Sequence, residues 1–142
     1  MYYEFEVTTP KNTASASPLR TRITLAPGVI RYVEVQFPRG CVGLVHAKIL
    51  DELHQVWPAN PDGDLSSENA RIAWREQWEL TNAENELLLV TWNDDDSYSH
   101  TLRFRFELLE LHLWRRQEFA LSALDYLAQW FTQAPVGAQQ EG

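Results

Sequence analysis

Apolar positions are densest over residues 85–109, NELLLVTWNDDDSYSHTLRFRFELL. Leu87, Leu88, Leu89, Val90 and Trp92 are apolar without alternation, the pattern of a central strand covered on both faces. Leu102, Phe104, Phe106 and Leu108 then alternate with Thr101, Arg103, Arg105 and Glu107, a period of two that marks a half-exposed strand. The acidic stretch between them reads as the turn of a hairpin.

The same period recurs upstream. Tyr3, Phe5 and Val7 alternate with Tyr2, Glu4 and Glu6, so residues 1–9 form a strand or arm. Residues 10–18, PKNTASASP, are small, polar and bounded by proline, a linker that spans up to roughly 30 Å when extended. An apolar strand on such a tether has the form of an arm exchanged between copies. The alternative is a first strand that stays in its own sandwich. Further strands are expected at 20–25, 29–37, 42–50, 54–57 and 70–80, separated by the turns APG and PRG and by the polar loop PANPDGDLSSEN at 58–69. Glu76 shares an apolar face with Ile72, Trp74, Trp78 and Leu80 and so requires a partner, for which an arginine is the obvious choice. Seven or eight strands at this spacing predict an all-β fold over 19–110: an antiparallel β-sandwich of jelly-roll or immunoglobulin-like type.

Residues 111–134 change period. No Gly or Pro interrupts the segment before Pro135, and at 100° per residue its polar positions fall in one narrow stripe: Arg115, Glu118, Ser122, Asp125, Gln129 and Gln133. Leu113, Ala120, Leu124, Leu127 and Phe131 lie opposite. Trp114, Leu121 and Ala128 form one flank; Phe119, Ala123, Tyr126 and Trp130 form the other. The apolar arc spans about 220°, against the stripe of a little over about 100° on an ordinary surface helix. A C-terminal amphipathic helix is predicted, touching its own domain on one side and a second body on the other. Interfacial membrane helices carry many Lys or Arg on the polar face, so a protein partner fits better. Residues 135–142 read as a flexible tail.

Composition narrows the picture. A chain of 142 residues fits one domain. The net charge of −8 opposes binding to a nucleic-acid backbone. Residues 1–50 carry a net +3 and residues 51–100 a net −10, which suits internal pairing or complementary faces on neighbouring copies. Cys41 is the single cysteine, so no internal disulfide forms, and its apolar neighbours suggest a buried thiol. The start MYYEFEV has neither part of a signal peptide, and no apolar run reaches the ~20 residues of a membrane span. The expected location is the cytoplasm, or a virion assembled there.

No catalytic spacing is present. His46, His54, His100 and His112 are scattered, and no nucleophile elbow, phosphate loop or paired-cysteine motif occurs. Asn60, Asp62 and Asp64, together with Asp94, Asp95 and Asp96, are the candidate metal ligands, since calcium needs six or more oxygens and only these two loops supply them. Trp57, Trp74, Trp78 and Trp92 offer either an aromatic platform for a sugar or core packing.

The pieces HQVWPANPDGD and WNDDDSYSHT, within residues 43–106, resemble small uncharacterised β-rich proteins of environmental phage-like sequences. The resemblance implies a virion component, such as a capsid decoration or minor structural protein, and no activity. The expectation is a non-enzymatic assembly subunit without cofactor. It would meet other copies, or a larger protein shell, through Tyr3, Phe5 and Val7 of the arm and Trp114, Phe119, Tyr126 and Trp130 of the helix. The alternative is a carbohydrate-binding sandwich module assisted by calcium.

Overall fold

The computed structural model describes residues 1–133; the tail expected at 135–142 lies outside the described residues. Eight strands precede one helix: β1 (Tyr2–Thr9), β2 (Leu19–Leu25), β3 (Gly28–Phe37), β4 (Val45–Asp51), β5 (His54–Trp57), β6 (Ala70–Leu80), β7 (Asn85–Asn93), β8 (His100–Glu110) and α1 (Leu111–Gln133). Two four-stranded antiparallel sheets pack face to face, in the orders β1-β8-β3-β6 and β2-β7-β4-β5. The first strand therefore pairs with the last, the second with the seventh, the third with the sixth and the fourth with the fifth. A ribbon rolled up from its two ends gives this order, and it is the jelly-roll form of the sandwich.

The alternating strands explain the two-layer core. On β8, Leu102, Phe104, Phe106 and Leu108 point inward, and Val33, Val35 and Phe37 of β3 lie beside them. Ile23, Leu25, Val45, Ala47, Ile49, Leu87 and Leu89 close the core from the other sheet. Cys41 is buried, its Sγ 3.1 Å from the Pro38 carbonyl and 3.0 Å from that of Ser67, and burial raises its thiol pKa. Beside it, the Glu68 carboxylate accepts from the backbone N–H groups of Gly40 and Val42, which holds Val42 at a φ of 49°.

Both strands of the densest apolar stretch are present, but they do not form a hairpin. β7 lies between β2 and β4 in one sheet, while β8 lies between β1 and β3 in the other. Residues 94–99 cross from sheet to sheet. The unbroken apolar run of β7 also has a local cause. Val90 is buried on the outer face between Arg20 of β2 and Lys48 of β4, its cross-strand neighbours, whose aliphatic stems flank it.

β1 pairs with β8 of its own chain over eight residues, from Tyr2 opposite Glu107 to Thr9 opposite His100. Expected at an interface with other copies, Tyr3, Phe5 and Val7 here line the chain's own core. Val7 is buried, the Phe5 ring meets Phe106 edge-on at 6.3 Å, and the Tyr3 hydroxyl accepts from the Ala26 N–H. The segment after β1 is tied down as well. Thr13 and Asn93 exchange backbone hydrogen bonds of 3.0 and 2.9 Å, and the Asn12 N–H reaches the Asp95 carbonyl at 2.8 Å. Small polar residues permit a flexible tether, but here their backbone groups find fixed partners at one end of the sandwich.

Candidate functional site

The two acidic loops sit at one end of the sandwich and are organised around histidines. His46 stands at the start of β4 with its ring stacked on Trp92, centroids 5.0 Å apart. Its Nδ1 lies 2.7 Å from Asp64 and its Nε2 3.2 Å from Asp94, so one ring joins the 58–69 loop to the 93–96 turn. Asp95 is turned inward instead. Its carboxylate lies 2.7 Å from the His100 Nε2 and accepts from the N–H groups of Ser97 and Tyr98. The hydrogen bond to His100, then that from Ser97, holds its carboxyl below the ordinary aspartate value. Asp96 accepts from the Ser97 hydroxyl, and the Asn60 carbonyl accepts from the Gly63 N–H within the loop. Asp62 and Asp64 face an open groove that also carries Lys48, Arg20 and Trp92.

Of the six residues expected as calcium ligands, Asp64 and Asp94 share His46, Asp95 is held by His100 and Asp96 by Ser97. Among the described residues, no group of three or more His, Cys, Asp or Glu is arranged to hold a metal ion. His46 as the joint between the loops was missed from sequence. The sequence placed it on a strand, but only the pairing of β4 with β7, which sets His46 opposite Trp92, brings it to the acidic turn.

The tryptophans form two groups. Trp57, Trp74 and Trp78 pack on one another between β5 and β6, with centroid separations of 6.0 Å from Trp57 to each of the others. The Trp57 Nε1 donates to Glu76 Oε2 at 2.6 Å and the Trp78 Nε1 donates to Asp51 Oδ2 at 3.0 Å. Glu76 therefore finds an indole where an arginine was expected, together with the N–H of Gln77. A cleft of about 600 Å³ beside Trp78 is walled largely by Asp51, Glu52, Glu79, Glu84 and Glu86. Trp92 lies apart, covered by His46 and by the Lys48 ammonium 5.7 Å from its ring centre. These four rings are packed or covered rather than laid out as one open platform.

The helix is different in kind. α1 begins directly where β8 ends, with no connecting residue between Glu110 and Leu111. In its first turns only Trp114 is buried, at 9% exposure, with the Arg31 guanidinium 5.4 Å from its ring centre. Beyond it the apolar residues stand in solvent: Phe119 is 76% exposed, Tyr126 67%, Trp130 62% and Phe131 74%. Leu121, Leu124 and Leu127 are exposed too. Of the four helix residues expected at an interface, Trp114 packs on its own domain, while Phe119, Tyr126 and Trp130 have no cover from it. A helix facing two bodies was predicted; the chain's own domain supplies a contact only at the base.

No helix of the described residues is long and apolar enough to cross a bilayer. The structure defines a single jelly-roll sandwich from which one apolar helix projects. The chain matches no protein-family model and no curated protein.

Proposed function

We propose that the protein is a non-enzymatic structural subunit that associates with other copies of itself, with α1 as the main joining surface. The observation that carries this reading is the run of exposed apolar side chains from Phe119 to Phe131 on a helix whose one buried side chain, among the described residues, is Trp114. Burying one large apolar side chain is worth about 1.5–3 kcal/mol, so leaving this many wet forgoes a large stabilisation that a protein partner restores. The N-terminal arm contributes a second contact. β1 is an edge strand paired only with β8, and its free edge is a template for another strand. A virion component, such as a capsid decoration or minor structural protein, is the setting we favour. The phage-like resemblance supports it, and capsid domains are among the users of jelly rolls. The carbohydrate alternative loses support from the packed and covered tryptophans.

Light scattering tests the proposal. The intact chain is expected to exceed the monomer mass, and replacing Tyr126 and Trp130 together by Glu is expected to return it to monomer while the β signal in circular dichroism persists. An intact chain that stays monomeric at high concentration overturns the reading.

A further inference from the structure

The apolar surface of α1 is too wide for one neighbour. We infer that α1 joins three or more copies in a closed parallel ring, each helix touching two others. This inference rests on the proposed self-association and adds its geometry. A helix packed against one partner buries a stripe of about 100°; two such stripes side by side need about 200°, close to the arc of about 220° found here. A two-fold pair of helices covers one stripe and leaves the remainder in water.

The two sides of the arc also differ in size. Beyond the buried Trp114, Leu121 and Ala128 leave one flank low, while Phe119, Tyr126 and Trp130, with Ala123 among them, make the other bulky; these residues beyond Trp114 are all exposed in the single chain. A contact that sets unlike patches against each other is heterologous, and it closes into a ring when the rotation allows. The bulky flank of one helix fits the low flank of the next, with Ala120, Leu124, Leu127 and Phe131 turned to the centre. The polar stripe of Glu118, Ser122, Asp125 and Gln129 then faces outward. Arg116 and Gln117 break the arc near the base, so the ring closes over residues 119–131, about 20 Å of helix.

The attachment to the domain fixes the direction. β8 runs into α1 without a linker, and Trp114 is packed under Arg31, so every helix leaves its sandwich at the same angle. In a ring the helices are therefore parallel, with the sandwiches arranged around the base of the stalk.

Mixed variants test this arrangement. One protein carries Leu121→Glu and Ala128→Glu; the other carries Tyr126→Glu and Trp130→Glu. All four positions are exposed, so the sandwich β signal and melting point act as the folding control. The intact chain is expected at three or more times the chain mass by light scattering, and each variant alone at monomer mass. An equimolar mixture retains one good contact and is expected to give a pair containing one chain of each. A two-chain assembly of the intact protein overturns the ring and leaves self-association standing. A monomeric intact protein overturns both. A mixture no heavier than its separate components overturns the pairing of unlike flanks.

Discussion

Arg105 is the residue at which three strands meet. From the outer face of β8 its Nε lies 3.1 Å from Glu4 of β1, and its Nη1 donates to Glu34 and Gln36 of β3. Tyr32 adds a hydroxyl hydrogen bond of 3.0 Å to Glu34. Burial pushes the Glu34 carboxyl up, but the hydrogen bonds from Arg105 and Tyr32 outweigh it and leave the group below the ordinary glutamate value. Arginine suits this place because its planar fork serves several acceptors at once, which a lysine ammonium does less well. Replacing Arg105 by Met leaves Glu34 buried with the Tyr32 hydroxyl and no contacting cation. The expected loss is on the order of 3 kcal/mol in urea denaturation, with Arg105→Lys recovering only part. Because the folded-state carboxyl is depressed, its contribution is complete above the unfolded value and disappears as pH falls through the folded one. The melting temperature is therefore expected to drop on acidification below about pH 4, and less steeply in Glu34→Gln. An equal slope in that variant places the acid sensitivity in Asp95 and the other carboxylates with lowered values. Little of this network was legible in sequence. Period two put Arg105 on an outer face, but its partners depend on β1, β8 and β3 lying side by side.

At the scale of elements, the strands were readable and their pairing was not. Alternation, and for β7 an unbroken apolar run, located the strands to within a few residues, because inward and outward side chains of a half-exposed strand differ chemically at every step. The hairpin expected between β7 and β8 fails because an acidic turn of suitable length also serves to cross between sheets. In the same way, the composition of residues 10–18 reports weak secondary-structure preference and says nothing of the ladder between Thr13 and Asn93. The six acidic and amide residues lie in two loops at one end of the sandwich, and His46 and His100, outside those loops in sequence, fix where Asp64, Asp94 and Asp95 point. The role of β1 is open to direct measurement. Deleting residues 1–17 removes buried Val7, half-buried Tyr3 and Phe5, and the Glu4 contact with Arg105. The sandwich itself is expected to lose several kcal/mol, seen as a lower melting temperature of the monomer. An unchanged melting temperature with weaker association means that β1 acts between copies instead.

At the scale of the whole molecule, the sandwich and α1 are stabilised by different means. The sandwich has a shared core from both sheets. Among its described residues α1 has no acidic residue in its first turn and no basic residue in its last, so Glu110 just ahead of it is what complements the helix dipole. Helices in water gain most of their stability from packing an apolar face rather than from propensity. The sequence showed the width of that face clearly, because composition around a helix is fixed by spacing alone. Where the domain would touch it was hidden, since the burial of Trp114 depends on Arg31, far away in the chain. It follows that the order of α1 is linked to its neighbours. On serial dilution the helical circular-dichroism signal is expected to fall together with the assembly mass, while the strand signal and the melting of the sandwich stay constant. The Tyr126→Glu, Trp130→Glu protein is expected to show the reduced helical signal at every concentration. A helical signal that is full and independent of concentration in both proteins means that α1 is stable alone, and that its exposed face is not what holds it in shape.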